Sequence, residues 1–167
     1  MLNRGGVILT LLLLALVSGS VWGQEVTVEQ SVFTEVNSES LGGDTNVSYV
    51  TAKGGGTTAP AIYDSAIRLY QNASGNGGGT ITISVIDGFE LVSVEIGSSM
   101  STSIAYTINE SVEKSKTESL DANSTYTVSD LSVRSVTFHC MGKDKNSRLY
   151  VNYLKVVYRP VVLTQVA

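Results

Sequence analysis

The sequence predicts a single all-β domain of the sandwich or barrel class, with about nine short strands behind an N-terminal leader. Three observations predict it. Apolar and polar residues alternate with period two in several segments, and no stretch after residue 23 shows helical periodicity. Threonine, valine and tyrosine, which favour strands, dominate that part of the chain together with serine. Turn signals recur at close spacing, and the only two prolines, Pro60 and Pro160, sit outside the strong strand patterns.

Residues 1–23 read as a secretory signal peptide. Arg4 supplies a positive start, residues 7–17 (VILTLLLLALV) form an apolar core, and residues 18–23 are small and polar apart from Val21 and Trp22. The apolar run is shorter than the roughly 20 residues a membrane-spanning helix needs. The best cut follows Gly23, with Val21 at −3. Cuts after Ser20 or Ser18 come next, and an uncleaved anchor is the alternative. No cysteine lies near the cut, which argues against a lipid-modified N-terminus. The expectation is an exported protein, secreted or at the cell surface (periplasmic or extracellular), with no transmembrane segment in the mature chain. Residues 24–160 form the sandwich domain. Residues 161–167 are a short apolar tail, either a last edge strand or the start of something further.

Removing the leader leaves 144 of the 167 residues, enough for one domain with a real core. It takes one basic residue, Arg4, and no acidic one, and so moves the formal net charge from −4 to −5. A mildly acidic chain without a basic cluster is unsuited to nucleic acid or to an anionic membrane surface. Cys140 is the only cysteine, so there is no internal disulfide and no multi-cysteine metal site. It reads as a small buried apolar side chain. The only tryptophan, Trp22, leaves with the leader.

The elements follow in order. Weaker strands are expected at residues 25–34, 46–52 and 66–71. The clearest strand is at residues 80–86, where Ile81, Ile83 and Val85 face one way and Thr80, Thr82 and Ser84 the other. Asp87-Gly88 is a tight-turn pair, and Val92, Val94 and Ile96 alternate after it, so the two segments read as a hairpin. Residues 103–109 and 125–128 are weaker strands around a polar loop at 110–124. Val136, Phe138 and Cys140 then alternate with Thr137 and His139, and Leu154, Val156 and Tyr158 with Tyr153, Lys155 and Val157. These read as a second hairpin, closed by the polar loop at 141–146. Gly54-Gly55-Gly56 and Gly77-Gly78-Gly79 mark flexible loops. Neither triplet has the lysine-serine pair or the following helix of a phosphate-binding loop.

The order of segments is distinctive. Gly55-Gly56-Thr57-Thr58-Ala59-Pro60-Ala61-Ile62-Tyr63 leads into Ala66-Ile67-Arg68-Leu69-Tyr70. A glycine-rich turn, Thr80-Ile81-Thr82-Ile83-Ser84, Gly88, a Val-Ser-Val-Glu-Ile strand and a closing Tyr153-Leu154-Lys155-Val156-Val157-Tyr158 follow. This set, spanning roughly residues 46–158, resembles a jelly-roll β-sandwich module of secreted Bacteroidetes proteins. That module is carbohydrate-binding-module-like and is often found beside extracellular hydrolases. The resemblance implies a single antiparallel β-sandwich, jelly-roll-like, with a non-catalytic accessory role in a class rich in carbohydrate binders. It supplies no set of binding residues. No catalytic domain is attached here, so a self-standing binding or assembly role is open.

The residues that bear on chemistry are few. His139 is the only histidine and lies on an outward strand face, which suits neither a Ser-His-Asp triad nor a catalytic zinc. Glu90, Glu95, Asp64 and Asp87 are the candidates for a glycosidase pair, with nothing in the sequence to set two of them across a cleft. Jelly-roll modules of this kind often hold a structural calcium, and Asp44, Asp64, Asp121 and Asp144 lie in loops, without EF-hand spacing. Sequons begin at Asn46, Asn72, Asn109 and Asn123; they matter only in a eukaryotic host. Tyrosine can stack on a sugar face while its hydroxyl stays wet. Tyr63, Tyr70, Tyr150 and Tyr153 are placed for this, with Arg68 on the same strand face as Tyr70 and Arg148 and Asn152 flanking Tyr150. The missing tryptophan counts against a strong glycan site. The expected function is a non-catalytic binding module for extracellular carbohydrate. The alternatives are a structural or adhesive surface or matrix subunit contacting another secreted protein, and, more remotely, a secreted hydrolase.

Overall fold

The computed structural model describes residues 23–71, 77–108, 117–142 and 146–162. Residues 1–22 of the leader, the sequons at Asn72 and Asn109, Asp144, and residues 163–167 of the tail lie outside them.

The described chain is all β. Eleven strands are present: β1 (Val26–Gln30), β2 (Val47–Ala52), β3 (Ala61–Tyr63), β4 (Ala66–Tyr70), β5 (Thr80–Val85), β6 (Phe89–Ser98), β7 (Thr102–Ile108), β8 (Glu118–Leu120), β9 (Ser124–Val128), β10 (Ser135–Cys140) and β11 (Arg148–Pro160). They form two antiparallel sheets. One runs β3-β4-β11-β6-β9, with β1 also paired to β11; the other runs β2-β5-β10-β7-β8. β11 is the spine of the first sheet. Its start pairs with β4 (Tyr150↔Arg68) and its end with β1 (Val156↔Val28) along one edge, while β6 lies along the other.

The inner faces make one core. Ile67, Leu69, Val94, Ile96, Leu149, Val151, Leu154 and Val156 from the first sheet meet Ile81, Ile83, Ile104, Val136, Phe138 and Cys140 from the second, all fully buried. Phe33 and Leu41, from the chain between β1 and β2, cap it, and Phe33 meets Tyr49 edge-on at 5.8 Å. Cys140 is thus the small core residue its strand parity predicts, and burial pushes its thiol pKa up. His139 faces outward, 3.2 Å from the Thr107 hydroxyl.

Four expectations need correction. The strand count rises from about nine to eleven because β3 and β8 are three-residue edge strands, too short to show a period; β8 falls inside the expected loop at 110–124. Neither expected hairpin exists. β5 and β10 belong to the second sheet and β6 and β11 to the first, so the turn at Asp87-Gly88 and the loop after Cys140 both cross between sheets. Alternation shows which face is buried, and it looks the same whether the next strand pairs alongside or packs opposite. Third, Val92 does not share the inner face. The register slips between Val157 and Tyr158, so that Leu91 is fully buried and Val92 only partly.

Fourth, the glycine triplets are close-packed backbone rather than free loops. Gly79 donates to the Tyr70 carbonyl (2.7 Å), Gly78 to Cys140 (2.8 Å) and Cys140 back to Gly79 (3.0 Å). A Cβ on Gly54 would stand 2.5 Å from the Gly78 carbonyl oxygen, and one on Gly78 2.1 Å from that of Tyr70. Only glycine lets the chains approach so closely.

The far end of the sandwich is closed by a polar clasp. The Tyr158 hydroxyl donates to Asp44 Oδ2 (2.7 Å) and accepts from Asn46 Nδ2 (3.0 Å), while Asp44 Oδ1 accepts the Asn46 amide (2.8 Å). Burial, opposed by the Asn46 bond and aided by Asp44, raises the Tyr158 phenol above 10.0; burial raises Tyr49 likewise. Both phenols bind their protons more tightly folded than unfolded. Their contribution to stability is therefore full below pH 10 and is lost as the pH climbs through the folded-state values. Tyr158→Phe is expected to cost about 1 kcal/mol at neutral pH, from a half-buried carboxylate left short of its donor. It should also flatten the alkaline fall, read by denaturant titration at several pH values.

Candidate functional site

The seven residues expected to bind a ligand all lie on the outer face of the first sheet, and cross-strand register explains why. Tyr63 stands opposite Ala66 on β4, Arg68 opposite Tyr150 and Tyr70 opposite Arg148 on β11. Residues opposite one another share a face, and alternate residues along a strand share it too.

Four of the side chains form a column of alternating rings and guanidinium groups. Arg68 Cζ lies 4.7 Å from the Tyr63 ring centre and 5.0 Å from that of Tyr70, and Arg148 Cζ lies 4.5 Å from the Tyr70 ring centre. Each such contact is worth about 0.5–1 kcal/mol where water reaches it. The column holds its members in place. Tyr70 is only 7% exposed, its ring engaged by two arginines, so it supports the site rather than offering a ring to a ligand. The neighbouring Tyr150 side chain, ahead of the Tyr70 contribution, raises the Arg68 pKa further, against the opposing effect of burial.

Tyr63 and Tyr150 are different. Tyr63 is 48% exposed and meets the half-buried Tyr150 edge-on, centres 5.9 Å apart and planes at 66°. Together they line an open groove of 640 Å³, with Asn152, Met100, Asp64, Ser31, Ser65, Ser99 and Ala66.

Three local features build this groove. The β3–β4 hairpin closes on Asp64 and Ser65, both with positive φ (48° and 60°), the backbone of a two-residue primed turn. The Phe33 amide anchors that turn by donating to the Ser65 carbonyl (2.9 Å). The β6–β7 turn presents Met100, 55% exposed, and is tied by the Ser98 hydroxyl donating to the Met100 carbonyl (2.7 Å). Third, β11 bulges. Val151 pairs with Ser98 and Tyr153 with Gly97, so Asn152 is the extra residue, and it turns beside Tyr150 into the groove. Gly97 makes room: a Cβ there would lie 2.9 Å from Tyr153 Cβ and 3.2 Å from Asn152 Oδ1.

The bulge also separates Tyr153 from the others. Tyr153 does not line the groove. Burial first, then the Glu29 and Glu95 carboxylates, raise its phenol pKa. The sequence did not single out Met100, Ser31, Ser65 or Ser99; they come from turns and the end of β1, where no period points to them. Asp64, which the sequence offers as a carboxylate for catalysis or calcium, lines the groove as well.

The arrangement can stack an apolar ring face on tyrosine and hydrogen-bond hydroxyls through Asn152, Asp64 and the serines. It is not arranged as a pair of catalytic carboxylates. Glu90 accepts from Arg159 (2.8 Å), Asp87 pairs with Arg134, Glu95 stands opposite Lys155, and of the four candidates Asp64 alone lines the groove. Among the described residues no three His, Cys, Asp or Glu side chains converge on a metal position, and Asp44 is committed to Asn46 and Tyr158. Asp44, Asp64 and Asp121 belong to separate loops, and Asp144 lies outside the described residues.

No family model and no curated protein matches the chain. Among solved structures it is similar to a family 29 carbohydrate-binding module, at 15% identity over 80% of this chain and 89% of that one, with a TM-score of 0.48. A family 29 module from Piromyces equi gives 9% identity, 82% and 91% coverage, and a TM-score of 0.45. A family 32 module from C. perfringens, in complex with galactose, gives 11% identity, 80% and 93% coverage, and a TM-score of 0.39. At these values the likenesses assign no role to any residue of this chain.

Proposed function

We propose that this protein is an exported, non-catalytic module that binds extracellular carbohydrate in the groove between Tyr63 and Tyr150. The observation that supports it best is the groove itself. An exposed ring and a half-buried one meet edge-on over an open cleft whose remaining lining is mostly hydroxyl, amide and carboxylate. Sugars present just this mixture, with apolar C–H faces flanked by hydroxyls. The Tyr63-Arg68-Tyr70-Arg148 column fixes the binding face in advance, which lowers the entropy lost on binding. Of the other residues expected to bind, Arg68, Tyr70 and Arg148 act as support, Asn152 as a hydrogen-bonding group, and Tyr153 as a flanking residue. The solved modules the chain is similar to are carbohydrate-binding modules by name, too distant to transfer a site. Export rests on the leader sequence, and no helix of the described residues is long and apolar enough to cross a membrane.

A glycan-array screen of residues 24–167, with and without chelator, tests the function. Expected are hits on a defined set of plant, microbial or host polysaccharides, and their loss with chelator would add a structural calcium. A blank array overturns the proposal and favours the assembly subunit, for which the exposed Val161 and Val162 beyond β11 would be the first surface to examine.

A further inference from the structure

Among the described basic side chains Arg68 is unusual. Arg134 pairs with Asp87, Lys155 with Glu29, and Arg159 with Glu25 and Glu90. Lys53 is exposed to water. Arg68 is half-buried and forms no such ion pair, and its Nε is buried with no hydrogen-bond partner. A guanidinium taken partly out of water without a carboxylate is costly, and rings on its flanks offset only part of that cost. Rings of Tyr63 and Tyr70 flank Cζ and Tyr150 stands opposite on β11, so a ligand would have to meet the outer edge of the fork. That edge carries parallel N–H donors, whose spacing matches the two oxygens of a carboxylate.

Arg68 does not line the groove itself but stands at its border. Arg68 stands directly opposite Tyr150, which lines the groove with Tyr63. Arg148, stacked on Tyr70, places a second positive charge in the same column. Asp64 lies at the turn end of the groove. The site therefore has one pole that accepts hydroxyl protons and another that attracts an anion, in a chain whose net charge of −4 would otherwise repel polyanions.

We infer that the groove takes an acidic polysaccharide, a uronic acid chain with one ring against Tyr63 and Tyr150 and a carboxylate on the Arg68 edge. This assignment rests on the carbohydrate reading above and names its substrate class. The test is affinity electrophoresis through polygalacturonate and alginate, each beside its esterified, uncharged form, and through dextran sulfate. The expected result is retardation by at least one uronate polymer about tenfold stronger than by its ester. Arg68→Gln should bring acid and ester within about threefold. Arg68→Lys, which keeps the charge and loses the fork, should lose most of the preference too. Tyr150→Ala should weaken both. Equal retardation by acid and ester, lost in Tyr150→Ala, overturns the acidic assignment and leaves the carbohydrate reading standing. Dextran sulfate retarding the native protein as strongly as the uronates overturns it as well, since bulk charge then suffices. No retardation by any polymer overturns the acidic assignment, and the glycan array then decides the carbohydrate reading.

Discussion

Tyr150→Ala is expected to weaken glycan binding at least about 30-fold, some 2 kcal/mol, the scale of an aromatic hot spot. Three losses coincide. The groove loses a wall, Tyr63 loses its edge-on partner, and Arg68 loses the side chain opposite it in register. The variant should still fold, because Tyr150 is on the outer face and the core below it, Leu149 and Val151, is untouched. Titration of the tightest array hit gives the affinity, and near-UV circular dichroism checks the fold. Tyr153→Ala is the matched comparison. It lies past the bulge beside Glu29 and Glu95 and should change affinity less than about threefold. Equal losses in the two variants would mean that the ligand spans the bulge.

Gly78→Ala is expected to destabilise the fold by about 3 kcal/mol. Its Cβ would stand 2.1 Å from the Tyr70 carbonyl oxygen and 2.6 Å from Gln71 Cα, and both atoms are backbone. They cannot turn aside as a side chain could. The strands must part, which strains the bonds from Gly79 to Tyr70 and from Gly78 to Cys140. For a domain of this size the melting temperature should fall by about 10 °C. Tyr70 sits between two arginines of the column, so the same substitution should also loosen the site from behind. A melting temperature within 2–3 °C of native would show that the triplets yield easily, as loops do.

The inward residues were legible from period two alone. Ile81, Ile83, Val85, Val136, Phe138, Cys140, Leu154 and Val156 all lie in the core as their alternation implies. Sheet membership was not legible, because a one-faced strand satisfies either sheet of a sandwich. This is why β5 and β6, and β10 and β11, looked like hairpins. The bulges did leave a trace. Buried positions run Leu149, Val151 and then Leu154, Val156, a switch from odd to even that marks an extra residue between them. The switch from Leu91 to Val94 and Ile96 marks the second. The bulge in β11 is what sends Asn152 to Tyr150 and Tyr153 elsewhere. The arginine–tyrosine column was half legible: Arg68 and Tyr70 share a strand face by parity, but only the register of β3, β4 and β11 brings Tyr63 and Arg148 to them. The turn residues of the groove carry no period and could not be found that way.

The chain after residue 23 has eight tyrosines and no tryptophan, so tyrosine ring signals report on its aromatic surface without interference. The most direct measurement is a glycan titration of ring-labelled protein followed by NMR, with Tyr63 and Tyr150 assigned by substitution. The account predicts that these two rings shift together and saturably, while buried Tyr49, and Tyr106 and Tyr126 packed against the core, stay in place. Binding that leaves the Tyr63 and Tyr150 signals unmoved would contradict it and place the ligand elsewhere on the sandwich.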